Sequence, residues 1–280
     1  MQATIRYLAI VSQQPERLAD FYVRYMGLRE LTRSPSGEIS LTDDLYNLSI
    51  LPYRDGGDAP GLHHPGIAID DLDELKDRLR RFAPDVALEP EPGGPHYGDF
   101  RLRDPNGYAV CVSTSSFGLP PAAPRRPAIR HVALCQPNGD AVADFYEQVL
   151  GLEKRNPSRW SWNFRALGDG FTAFTILASA EEMRANGREA GIDHFKPGLN
   201  HFGIEAASPI EDRLVGLPPE ARIAKRPDRA EYYRVWDVDG NHFDLRGGTG
   251  WQEEGAGPRI VNAVWDERAA AATLGRPSRE

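Results

Sequence analysis

Cysteine is scarce. The 280-residue chain has two, Cys111 and Cys135. That number cannot build the disulfide framework on which small secreted domains depend. A reducing cytosol is the default environment, and a cytoplasmic protein is expected. Long apolar runs are missing as well. No stretch approaches about 20 consecutive apolar residues, so no membrane span is expected. The N-terminus lacks an apolar core followed by a small-residue cleavage site, so no signal peptide is read. There is no basic block either, and the net charge is −8. This argues against a nucleic-acid groove and fits a soluble enzyme or small-molecule binder. The length suffices for two domains of ordinary size.

The chain repeats itself imperfectly. Ile5-Arg6-Tyr7-Leu8-Ala9-Ile10, Ala19-Asp20-Phe21-Tyr22 and Gly27-Leu28 recur as Ile129-Arg130-His131-Val132-Ala133-Leu134, Ala143-Asp144-Phe145-Tyr146 and Gly151-Leu152. The three blocks keep one constant offset, as duplication of a whole domain requires and a solenoid of short units does not. Residues 3–11 and 128–135 read as strands. Each leads into a helix with apolar residues at helical spacing, stopped by Gly27 or Gly151. Strand pairs follow at 39–41 with 45–51 and at 160–167 with 171–177. The pattern then restarts inside each copy. Strands 64–69, 100–103 and 108–113 surround a helix at 71–82. Strands 201–206, 232–236 and 242–246 surround a short helix at 209–215.

The expected fold is therefore α+β: four β-α-β-β-β modules paired into two domains, at residues 1–114 and 128–248. A proline-rich linker occupies 115–127. Residues 249–280 form a tail that Trp251 and Trp265 would anchor. Trp160 and Trp162 alternate on one strand and read as packing before they read as a pocket floor.

This organisation resembles the vicinal oxygen chelate superfamily, which includes extradiol ring-cleaving dioxygenases, glyoxalase I and bleomycin-resistance proteins. The resemblance spans about residues 3–248. Its most specific pieces are Ile129-Arg130-His131, Leu199-Asn200-His201-Phe202-Gly203 and Asp237-Val238-Asp239-Gly240-Asn241-His242-Phe243-Asp244. It implies open, cup-shaped mixed sheets around a metal. Carried over residue by residue, the second copy supplies His131, His201 and Asp244 as ligands, a two-imidazole, one-carboxylate set with open positions. The first copy has Tyr7, His64 and Cys111 in those places and reads as degenerate. Neither odd module ends in an acid, so a three-ligand site is favoured over the four-ligand glyoxalase I type.

The resemblance implies a metal-dependent oxygenase of the extradiol type. Fe(II) is the first choice of metal; Mn(II), Zn(II), Ni(II) and Co(II) remain open to the same ligands. The partners would be a small catechol-like aromatic substrate and O2, with no nucleic acid, no membrane and homo-oligomerisation left open. Two departures stand out. Asp244 replaces the usual Glu, and the hairpin at 168–172 lacks the family's additional His. His194 is the candidate acid or base in its place. Tyr232 or Tyr233 falls where the family positions a substrate-binding Tyr, and a register one residue different puts Arg234 on that face. The alternatives are an isomerase or lyase on another metal, or a metal-free binding protein of the resistance type.

Overall fold

The structure is a computed structural model that describes residues 1–91, 97–121, 126–159, 161–191, 196–227, 229–248, 251 and 266–274. It contains two eight-stranded sheets of identical strand order. The first is built from β1 (Ala3–Ser12), β2 (Arg29–Arg33), β3 (Ile39–Thr42), β4 (Asn47–Pro52), β5 (Gly61–Ile69), β6 (Glu89–Pro90), β7 (Phe100–Arg103) and β8 (Ala109–Ser113). The second uses β9 (Ala128–Cys135), β10 (Glu153–Lys154), β11 (Phe164–Gly168), β12 (Ala173–Leu177), β13 (Gly198–Ala206), β14 (Arg222–Lys225), β15 (Tyr232–Trp236) and β16 (His242–Gly247). The orders are β2-β3-β4-β1-β5-β8-β7-β6 and β10-β11-β12-β9-β13-β16-β15-β14. In each sheet the two module-opening strands lie antiparallel at the centre, β1 on β5 and β9 on β13.

Helices α1 (Pro15–Phe21), α2 (Leu72–Phe82) and α3 (Gly139–Gln148) cover one face of the sheets. Their apolar stripes supply Leu18, Phe21, Leu75, Leu79, Val142, Phe145 and Tyr146 to a core that runs through both domains. Gly27 and Gly151 take φ values of 75° and 79° where their helices end, as a left-handed stop requires. Residues 209–215, expected as a short helix, contain only a 3-10 turn over Ile210–Arg213. A further helix, α4 (Ala180–Ala185), follows β12, and α5 (Glu267–Leu274) lies beyond the second sheet. Among the described residues no helix is long and apolar enough to cross a membrane.

The domains meet on their helical faces. Tyr22, directly after α1, contacts Phe202 and Phe243 of the second sheet and donates its hydroxyl to Asp237 at 2.8 Å. The first strand of each domain is held by an acid of the other: Ile129 N–H donates to Asp43 and Ile5 N–H to Asp169. The opposite face of each sheet is thereby turned away from the partner domain.

Candidate active site

Strand alternation selects what faces the second cup. Val132, Leu134, Phe202, Ile204, Tyr233, Val235, Phe243 and Leu245 all point into the core. Their neighbours His131, His201, Gly203, Tyr232, Arg234, His242 and Asp244 therefore share the opposite face. The register draws most of these into one row, because His131 pairs with Gly203, Gly203 with Asp244 and Asp244 with Arg234. A bulge between Leu199 and His201 brings the second imidazole beside that row.

His131, His201 and Asp244 are buried together. The two imidazole rings are 5.2 Å apart, and His201 Nε2 is 3.7 Å from Asp244 Oδ2. The tautomer of His201 follows from its neighbour. Asn200 donates its amide N–H to the Lys196 carbonyl, which leaves its oxygen facing His201 Nδ1 at 2.8 Å. A proton on Nδ1 satisfies that oxygen, and Nε2 is the nitrogen on the Asp244 side.

Asp244 is also engaged by two donors. Arg234 Nε donates to Oδ1 at 2.7 Å and the Tyr232 hydroxyl to Oδ2 at 2.9 Å. The guanidinium and the carboxylate are 1% and 2% exposed, so the ion pair is closed off from water. Among the described residues, no three His, Cys, Asp or Glu side chains stand close enough together to hold a metal ion. The donor types suit a divalent metal, but as arranged the set does not fit one. Asp244 already has its counter-charge in Arg234.

Trp251 completes the cup. Its ring stacks on His131 at 5.7 Å with a 2° interplanar angle and meets Tyr232 edge-on. The stack needs glycine at position 203, because a Cβ there would stand 2.5 Å from Trp251 and 3.0 Å from His131. The Trp251 Nε1–H is buried with no acceptor among the described residues.

The first cup repeats this plan in apolar form. Tyr7 stacks on Phe117 at 4.7 Å, and a Cβ on Gly66 would meet the Phe117 ring and the Tyr7 Cβ. His64 Nε2 lies 3.0 Å from Cys111 Sγ. Burial pushes the Cys111 thiol up to about 12, with Glu91 adding to the shift and Arg101 opposing it, and burial pushes His64 well down. Both groups are neutral at pH 7. Arg101 holds the register against Cys111 that Arg234 holds against Asp244.

Of the remaining sequence candidates, Tyr232 faces the cup. Tyr233 does not, because adjacent strand residues point to opposite faces. Its ring lies in the core and its hydroxyl donates to Glu211 at 2.7 Å. The face left open by the register is shared by Tyr232 and Arg234. His194, Trp160 and Trp265 lie outside the described residues. Trp162 is exposed. Gly203 and the stacked Trp251 lie beyond the residues that the sequence motifs single out for chemistry. The aligned dipeptides Gly66-Ile67 and Gly203-Ile204 were the available signal for the first.

Comparison with known proteins gives a consistent picture of the fold. No curated protein matches the sequence. The 2,3-dioxygenase LapB from Pseudomonas sp. KL28 superposes with a TM-score of 0.61 at 18% identity, covering 88% of this chain and 92% of that one. The Mn(II)-bound glyoxalase from Novosphingobium aromaticivorans gives 0.64 at 17%, covering 87% and 81%. The 2,2',3-trihydroxybiphenyl 1,2-dioxygenase from Sphingomonas wittichii strain RW1 gives 0.60 at 15%, covering 89% and 91%. At these identities the likeness is one of fold. Residues 4–112 match a family in sequence, and the second domain repeats the strand order of the first. The family is the Glyoxalase/Bleomycin resistance protein/Dioxygenase superfamily, and the match covers the first domain.

Proposed function

We propose that the chain is an oxygenase-like enzyme whose working site is the second cup, and that it takes a small aromatic substrate with adjacent oxygens, as catechols have. One observation carries the reading. Two imidazoles and a carboxylate are gathered in this cup, while the first cup has a phenol, an imidazole and a thiol in their places. The structural likeness to proteins named as dioxygenases supports it. The other side chains suit such a ligand. Trp251 offers an aromatic face and a buried N–H with no acceptor among the described residues, from which a ligand oxygen could accept. The Tyr232 hydroxyl stands beside Asp244, where it can hold or pass a proton. Fe(II) is the proposed cofactor, with Mn(II), Zn(II), Ni(II) or Co(II) as alternatives. Asp244 is already committed to Arg234 and Tyr232.

That same ion pair favours a second reading, in which the cup binds the same class of ligand without metal or turnover. Anaerobic loading with Fe(II) followed by oxygen uptake over a catechol panel separates the two. The oxygenase reading expects uptake that is lost in His131→Ala, in His201→Ala and in Asp244→Ala. Catechol binding that persists in chelator, with no uptake after loading, selects the second.

A further inference from the structure

In the second cup a permanent positive charge already sits on the only carboxylate of the gathered set. A guanidinium cannot lose its proton in a protein, and Arg234 is as deeply buried as its partner. A divalent ion approaching Asp244 would bring like charge against that guanidinium, with little water between to screen it. The arginine is also part of the module's plan, since Arg101 stands in the same register in the first cup. There the facing residue is the neutral Cys111, and the acid that Arg101 pairs with, at 2.6 Å, is Glu91. Only in the second domain does the repeated arginine close on an acid at the metal-ligand position.

We infer that Arg234 acts as an internal cation that competes with a divalent metal for Asp244 and so sets the metal affinity of this cup. The inference rests on the second cup being the working site, and its test needs no turnover. Co(II) is the probe, followed by calorimetry and by its visible absorption bands, in the full chain. Arg234→Gln removes the charge and keeps a polar side chain of moderate length. It should bind one Co(II) per chain more tightly than the wild type, on the order of tenfold or more. The gain should vanish in the double variant Arg234→Gln/Asp244→Asn, which lacks the carboxylate. If the single variant is folded only when metal is present, its melting midpoint should rise with added Co(II), and that of the double variant should not. Equal Co(II) affinity in the wild type and Arg234→Gln overturns the inference, as does a variant whose midpoint Co(II) leaves unmoved. Loss of the oxygenase reading would appear as absent oxygen uptake in loaded protein and leaves this affinity difference standing.

Discussion

At the scale of single residues, the second cup depends on a missing side chain. Gly203 sits between His131 and Asp244 in the register, and only the absence of a Cβ lets the indole of Trp251 lie flat over that row. Gly203→Ala should therefore expel Trp251, at a cost of about 1–3 kcal/mol from overpacking. The exposed indole should become accessible to acrylamide. The chain has five tryptophans, so the quenching gain must be measured against Gly203→Ala in a Trp251→Phe background, where it should disappear. Unchanged quenching in Gly203→Ala would show that the stack does not depend on the glycine.

At the scale of elements, the turn between β15 and β16 couples the second sheet to the first domain. Asp237 accepts from the N–H groups of Asp239 and Asn241 with one oxygen and from the Tyr22 hydroxyl with the other. Burial dominates, and the carboxyl is raised from 3.8 to about 6 despite these donors. Between those values the folded chain keeps a proton that the unfolded chain has released. Stability contributed by this group is thus present at low pH and is lost as pH rises towards 6, by about 3 kcal/mol in all, with no further change above. Chemical denaturation from pH 4 to 7 should show that decline in the wild type relative to Asp237→Asn; parallel profiles would contradict it. Elements of this kind were unevenly visible beforehand. The central strands β1, β5, β9 and β13 were legible because they are apolar and begin each repeat. Edge strand β2, Arg29-Glu30-Leu31-Thr32-Arg33, is largely exposed and carries no such pattern. Helix α4 went unread although Ser179 and Glu182 form a capping box at its start. His131, His201 and Asp244 were named through the superfamily resemblance, carried over residue by residue, and the structure buries the three side chains near one another. The closure of Arg234 on Asp244 was not legible, since it depends on which of two adjacent residues the register turns inward. The seat of Trp251 depends on the chain's path after its last strand, which periodicity does not encode.

At the scale of the whole molecule, duplication has produced two domains that brace each other reciprocally. Asp43 accepts from Leu45 and Tyr46 in its own hairpin and from Ile129 across the interface. Asp169 accepts from Phe171 and Thr172 in its own hairpin and from Ile5 across the interface. Tyr46 and Thr172 join the two hairpins directly at 2.9 Å. The apolar core is likewise continuous, with Ile5, Leu8 and Tyr22 in one cluster with Ile129, Val132 and Phe243. Neither domain can lose its structure without exposing the helical face of the other, so cooperativity should extend over both. Calorimetry of the full chain should show one transition. Removing either acid takes a charge-assisted hydrogen bond from the interface, each worth about 1.5–3 kcal/mol, so Asp43→Ala and Asp169→Ala should each lower that single transition and by similar amounts. A wild-type thermogram with two resolved peaks, or a substitution that shifts one peak and leaves another in place, would mean that the domains are energetically separate.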